Sequence, residues 1–472
     1  MSTASPALSD LGTGRNGEAP GPLAVIAATT TLVLVVFTTI ITTVGATAAS
    51  FHASVGGQTW ALGGMSLGLA AALLSAGGLA DIVGHRRVFI AASLALAAAS
   101  ALAAAAPSML VFVVARVLEG VAGAGVLSAG LGAIGTAFPD GRARTHATGI
   151  WSAALGAGIA LGPVLAAVLA AAGSWRAASA FTSIASLATA AAGRRLPTAG
   201  RCAPRRRLDP AGALALFAGM GCLTAAITSG RTSFTSTTTI GLLVVGAVAL
   251  IGFAFIERRG AHPLLTLGLL RHRPFVVSIA GAATTGLSTI ALLSYLPTLL
   301  QRGLEQSALA AGAILAIWSL MSTLISSQVS RLPERLDANL RLAAGLLFSA
   351  AGSGALALLQ TGSHWWTLAP GLALAGIGSG IANAALARVA VESVPDGQAA
   401  LGSGANNTAR YLGSALGIAI LVAIATAPGT SHTDLITAWK HAALIATALN
   451  LAGAAVTLLA RDSQSRPTAE DA

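Results

Sequence analysis

Long apolar runs and short polar breaks alternate along this chain. Fourteen runs stand out, at residues 23–47, 58–79, 88–106, 109–136, 147–171, 177–193, 211–229, 238–256, 275–299, 307–328, 341–360, 366–388, 400–427 and 436–460. Each is close to the roughly 20 residues that a helix needs to cross a hydrocarbon core. The shortest is 177–193, and 400–427 holds Arg410 within it. The longest internal polar stretch, Gly193 to Asp209, is too short for a soluble domain. The pattern predicts an all-α polytopic membrane protein with fourteen transmembrane helices. The run from Leu23 ends in small residues, as a signal peptide does, but it exceeds the roughly 7–15 apolar residues of a signal core. It is read as a first spanning helix that stays.

Composition strengthens this picture. Of 472 residues 55% are hydrophobic and 9% charged, and the mean hydropathy is +0.78. Soluble domains carry about 25% charged residues, so a soluble enzyme is excluded. The net charge of +11 does not point to nucleic acid, because the arginines fall in alternate short loops, where the positive-inside rule accounts for them. With the N-terminus in the cytoplasm, Arg15, Arg86, Arg87, Arg142, Arg144, Arg194, Arg195, Arg201, Arg205, Arg206, Arg207, Arg258, Arg259, Arg271, Arg273, Arg331, Arg335, Arg341, Arg461 and Arg466 lie inside. Only Arg176, Arg231, Arg302 and Lys440 lie outside, while Arg116, Arg388 and Arg410 sit in helices or at their ends. A missed helix would reverse every later loop and destroy this asymmetry. Both termini are therefore expected in the cytoplasm, with the chain crossing the cell membrane many times. Cys202 and Cys222 lie in a basic loop and an apolar run, so neither a disulfide nor a metal site is expected, and no cofactor is implied.

The runs divide as six, two and six. A polar tail at 1–22 precedes a six-helix half at 23–193. A basic loop, two linker helices and a cytoplasmic linker occupy 194–274, a second six-helix half covers 275–460, and a tail covers 461–472. Transporters of this layout are built from inverted three-helix repeats, with the transport site between the halves near the midplane.

Several strings carry a family resemblance. Gly77, Gly78, Leu79, Ala80, Asp81, Gly84, Arg86 and Arg87 follow the second run, with Ile82 where a basic residue is usual. Arg116, Glu119, Gly120, Gly123 and Gly125 lie in the fourth run, with Glu119 in place of the usual Gln. Gly156, Gly158, Gly162 and Pro163 lie in the fifth, followed by Ala166 and Ala167 where glycines are usual. Trp60, the His262–Pro263 linker before Phe275, the stretch from Leu296 and Pro297 to Gln301, and the string from Gly402 to Gly413 add to these. The chain resembles the major facilitator superfamily, in its fourteen-helix drug:proton antiporter branch, over about residues 23–460. The resemblance implies two six-helix halves plus two extra central helices. It also implies a cytoplasmic gate at Gly77, Asp81, Gly84, Arg86 and Arg87, an antiporter hinge at Gly158, Gly162 and Pro163, and a monomer. The stretch from Val36 to Thr42 lacks the acid that this branch usually places in its first helix, and Arg331 to Asp337 is a degraded copy of the loop 2–3 string.

Proton coupling requires a titratable group inside the bundle. Of the 16 acids only Glu119 lies well within an apolar run. A charged side chain there costs about 2.5–3.5 kcal/mol on insertion scales, which marks it as a functional candidate. Arg116, three residues earlier, shares its helical face. Burial and the neighbouring guanidinium act in opposite senses on the proton affinity of Glu119. Two readings stand: a coupling group that exchanges its proton for cargo, or a static buried pair. Asn406, Asn407 and Arg410 form a polar face in the thirteenth run, suited to substrate or to helix cross-linking. Tyr295 and Trp318 are candidate cavity aromatics or core.

The expected function is proton-coupled export of small lipophilic compounds, such as drugs or antibiotics, by alternating access. Without an acid in the first run, monovalent, neutral or zwitterionic substrates are expected over dications. A metabolite exporter or facilitator of the same fold is the alternative. A membrane-embedded enzyme or receptor would call for clustered His, Asp and Glu or an appended domain. Expected partners are the small-molecule substrate, protons and the lipid bilayer.

Overall fold

The computed structural model describes residues 21–138, 141–197, 209–230, 235–260, 267–329, 337–360, 362–394, 399–425 and 432–462. Among them there is no strand, and fourteen long helices follow one another. They are α1 (Pro22–Ser50), α2 (Val55–Val83), α3 (His85–Ala105), α4 (Met109–Ala137), α5 (Gly141–Ala172), α6 (Arg176–Ala192) and α7 (Pro210–Gly230). Then come α8 (Thr237–Arg259), α9 (Arg273–Gly303), α10 (Ala308–Val329), α11 (Ala338–Leu356), α12 (Ala369–Glu392), α13 (Ala399–Ala425) and α14 (His432–Asp462).

Polar side chains start these helices where the sequence breaks. Ser54, Ser108 and Ser236 accept hydrogen bonds from the amides of Gly57, Val111 and Thr239, capping α2, α4 and α8. Asp209 caps α7 by accepting from the Gly212 amide at 2.8 Å. Such side chains satisfy amides that the first helical turn leaves unpaired. Between α2 and α3 stands a single residue, Gly84, at φ 106°, a conformation that favours glycine. α9 contains one π-helical turn at Gly286–Ile290.

Twelve of the described helices are long and apolar enough to cross a membrane. The two outside that set are α6, with 17 residues, and α11, which opens on Asn339 and Arg341 and closes on glycine and serine.

Packing follows two groups and a pair. In the first group α2 and α3 pack on α4, α1 on α5, and α3 on α6; in the second α11 packs on α12 and α14, α10 on α12, and α9 on α13. The groups meet along α2–α13 and α5–α10. α7 and α8 pair with each other, and α7 leans on α2 and α13. The pair that is central in the sequence therefore lies at the edge of the bundle. α8 presents Val244, Val245, Val248 and Ile251 outward, as a lipid-facing helix does.

One apolar cluster joins both groups at the bundle end where α1 finishes. It takes Ile40 and Val44 from α1, Leu62 from α2, Leu292 to Leu300 from α9, Trp318 from α10 and Trp439 from α14. A second cluster, around Phe89 and Leu196, gathers first-group residues together with Tyr411 of α13, and the second group has one around Leu342 and Leu386.

Candidate functional site

α5 fits against α1 through its glycines. A Cβ on Gly158 would stand 2.4 Å from the Thr31 carbonyl oxygen, and one on Gly162 would stand 2.0 Å from Thr38 Oγ1. Real Cβ atoms do not come so close, so the two backbones approach only because these residues are glycine. Threonines of α1 reach across the seam. Thr31 donates to the Ala154 carbonyl at 3.1 Å and Thr42 to the Pro163 carbonyl at 3.0 Å. Pro163 lacks an N–H, so the helix ladder is interrupted where the seam is tightest. The other flank of α5 meets α10: Gly156 faces Thr323, and Gly312 faces the Pro163 backbone. The predicted hinge string thus lies where α1, α5 and α10 converge.

Arg116 and Glu119 sit on α4, 2% and 1% exposed. Arg116 Nη1 donates to Glu119 Oε2 at 2.7 Å and to the Val36 carbonyl at 2.8 Å. Its Nη2 donates to the Phe37 carbonyl at 3.1 Å, and Nε reaches the Ala61 carbonyl at 3.5 Å. Ser100 of α3 donates to Glu119 Oε1 at 2.8 Å. One polar chain therefore runs from α3 through α4 to α1 and α2. It ends on α1 at Val36 and Phe37, within the stretch where the sequence lacks an acid.

At the α2–α3 corner Asp81 lies 3.8 Å from His85 Nε2. The His85 ring packs over Gly132 of α4, within 2.4 Å of where a Cβ would stand. Arg86 is half-buried and Arg87 exposed on the first turn of α3. Gly77 has open space around its missing side chain, so close helix approach does not explain it.

The polar face of α13 divides. Asn406 is buried and donates to the Ser278 carbonyl and hydroxyl at 3.0 and 2.9 Å, tying α13 to α9. Arg410 donates through Nη1 to Asn383 Oδ1 of α12 at 3.3 Å and through Nη2 to Asn407 Oδ1. Its Cζ lies 5.4 Å from the Tyr411 ring centroid, and Tyr411 meets Phe37 of α1 edge-on at 5.7 Å. Tyr295 and Trp318 are buried in the apolar cluster that joins the two groups, with Trp318 Nε1 donating to Ser379 at 2.9 Å. Ser379 lies one helical turn before Asn383, the partner of Arg410 on the same helix.

Sequence patterning does not single out Ser100, His85, Asn383 or the buried Asn450, whose side chain accepts from Ser288 of the π-helical turn at 3.0 Å. Each is a common polar residue in an apolar run, and only its partner on another helix gives it a role. His262, Pro263, Arg331 and Arg335 lie outside the described residues. Among the described residues no cluster of three His, Cys, Asp or Glu could hold a metal ion.

Two six-helix groups facing each other, the first of them holding a glycine seam and a buried charge pair, define the class. Residues 26–418 match the Major Facilitator Superfamily, and the chain belongs to that superfamily of transporters rather than to any class of enzyme. Among its relatives is the multidrug resistance protein Stp of Mycobacterium tuberculosis (strain CDC 1551 / Oshkosh), 28% identical over 80% of this chain and 70% of that protein. The multidrug efflux pump LfrA of Mycolicibacterium smegmatis is 29% identical over 82% of this chain and 77% of that one. A probable actinorhodin transporter of Streptomyces coelicolor is 30% identical over 80% and 68%. The crystal structure of the human organic anion transporter MFSD10 superposes with a TM-score of 0.61 at 18% identity, covering 92% of this chain and all of that one. That likeness is one of fold.

Proposed function

We propose that this protein exports small lipophilic compounds in exchange for protons, by alternating access, as do the drug efflux pumps that its relatives are named for. It acts as a monomer in the cell membrane with both termini in the cytoplasm, and it belongs to the fourteen-span drug:proton antiporter branch. α6 and α11 supply the two remaining crossings. Without α6, the arginine-rich loop at 194–207 would lie on the opposite side from Arg142 and Arg144, against the positive-inside rule. The apolar cluster packs the two halves together at the end that this topology places outside.

The observation that carries the reading is the chain Ser100–Glu119–Arg116–Val36/Phe37. A carboxylate inside the bundle holds an arginine that in turn grips the backbone of α1. A proton on Glu119 removes the charge partner of Arg116 and loosens α1 from α4. Through the glycine seam, α1 carries α5 with it, and α5 meets α10 of the other half. Substrate release and proton uptake are thereby linked through one continuous set of helix contacts. The gate at Gly77, Asp81, Gly84, Arg86 and Arg87 closes the cytoplasmic end in the outward-facing state.

The test uses everted membrane vesicles from a host without its own exporters. Addition of a transported dye should discharge a preformed proton gradient, and collapse of the gradient should stop accumulation. Accumulation that persists unchanged after the gradient collapses would refute proton coupling.

A further inference from the structure

We propose that Arg410 receives the anionic group, a carboxylate or its chemical equivalent, of an aromatic lipophilic substrate. The assignment rests on the export reading above and names the substrate class for it.

Arg410 lies near the middle of α13, half-buried. Its partners are the amide oxygens of Asn383 and Asn407, both neutral. The ion pairs among the described residues, His85–Asp81, Arg116–Glu119 and Arg388–Glu392, do not include it. The contrast with Arg116 is direct: that guanidinium has a carboxylate and three carbonyls. A cation held inside a membrane protein without a counter-ion is costly, and such residues mark substrate paths. The Arg410 Nε–H is buried and has no acceptor.

A second donor is stranded against the apolar cluster that holds Tyr411. The indole N–H of Trp151, on α5 of the other half, is buried without a partner. Trp151 packs against the apolar cluster that contains both Phe37 and Tyr411, and Tyr411 is the ring beside Arg410. The unmet groups are thus a positive charge and two N–H donors, and the surrounding surface is aromatic. A ligand that satisfies them brings a negative charge, acceptor oxygens and an apolar ring. The guanidinium fork matches a carboxylate's two oxygens, and the Tyr411 ring beside it, edge-on to Phe37 of the other half, supplies aromatic surface for the ring. Glu119 does not oppose this, since Arg116 neutralises it.

Rhodamine B, which carries a free carboxylate, and its ethyl ester, which does not, share one ring system and form the probe pair. Their rates of gradient-driven accumulation in everted vesicles are measured together, so the ratio is independent of expression level. Wild type should favour the carboxylate by about tenfold or more, the worth of a charge-assisted hydrogen bond. Arg410→Gln should bring the ratio to about one. Arg410→Lys, which keeps the charge and loses the fork, should retain part of the preference, and Trp151→Phe should lower it by a smaller factor. An unchanged ratio in Arg410→Gln, or a wild type that prefers the ester, overturns the proposal and leaves export standing. Failure of wild type to accumulate either dye under the gradient overturns the export reading and this assignment with it.

Discussion

Glu119 and Arg116 show how much a single buried pair depends on both members. Removing one partner of such a pair leaves an uncompensated charge and costs about 3–5 kcal/mol. Glu119→Ala should therefore lower the unfolding temperature in detergent markedly. Glu119→Gln keeps an oxygen for Arg116 Nη1 and should fold, yet lose proton-driven export because the amide takes no proton. If Glu119→Gln vesicles still discharge the gradient on adding substrate, the pair is structural only. Ser100 donates to the same carboxylate. Ser100→Ala should cost about 1 kcal/mol and shift the pH dependence of export without abolishing it, measured as initial rates across external pH.

Helices α1 and α5 make a contact that tolerates no side chain at its centre. Gly162→Ala would push a methyl to 2.0 Å from Thr38 Oγ1, so export should fall to background while Gly241→Ala on α8, with open space around it, should transport at close to wild-type rate. Drug-susceptibility assays at matched expression separate the two. Gly84→Ala should be intermediate: φ 106° with ψ 132° costs an L-residue about 1–3 kcal/mol, visible as reduced folded yield. Both Gly77 and Gly84 belong to the same sequence string, and the structure assigns them different physical duties.

Across the whole molecule, the end that the proposed topology places outside joins the halves through side chains as well as through the apolar cluster. Gln301 of α9 donates to the Thr42 carbonyl at 3.1 Å, and Arg302 to Gln58 Oε1 at 3.4 Å. Alternating access requires this end to part. A Thr42→Cys/Gln301→Cys pair, in a background with Cys202 and Cys222 changed to Ser, should stop export when oxidised and recover it when reduced. Export that continues at full rate with the crosslink quantitatively formed would show that the outer end need not open.

The sequence by itself determined where the helices run and that they are surrounded by lipid, because hydropathy is a local property and a helix satisfies its own backbone bonds. It also brought Arg116 and Glu119 together, since a spacing of three residues on one helix fixes their shared face. Only the tertiary structure decided what those residues touch. Ser100, Asn383 and the α1 carbonyls come from other helices, and helix rotation and packing leave no periodic trace in hydropathy. The same holds for Tyr295 and Trp318, which packing buries in the cluster that joins the halves, and for α7 and α8, which follow the first half in sequence and dock at the bundle's edge. Interhelical contact is a matter of shape at close range, and shape is settled only when all the helices meet.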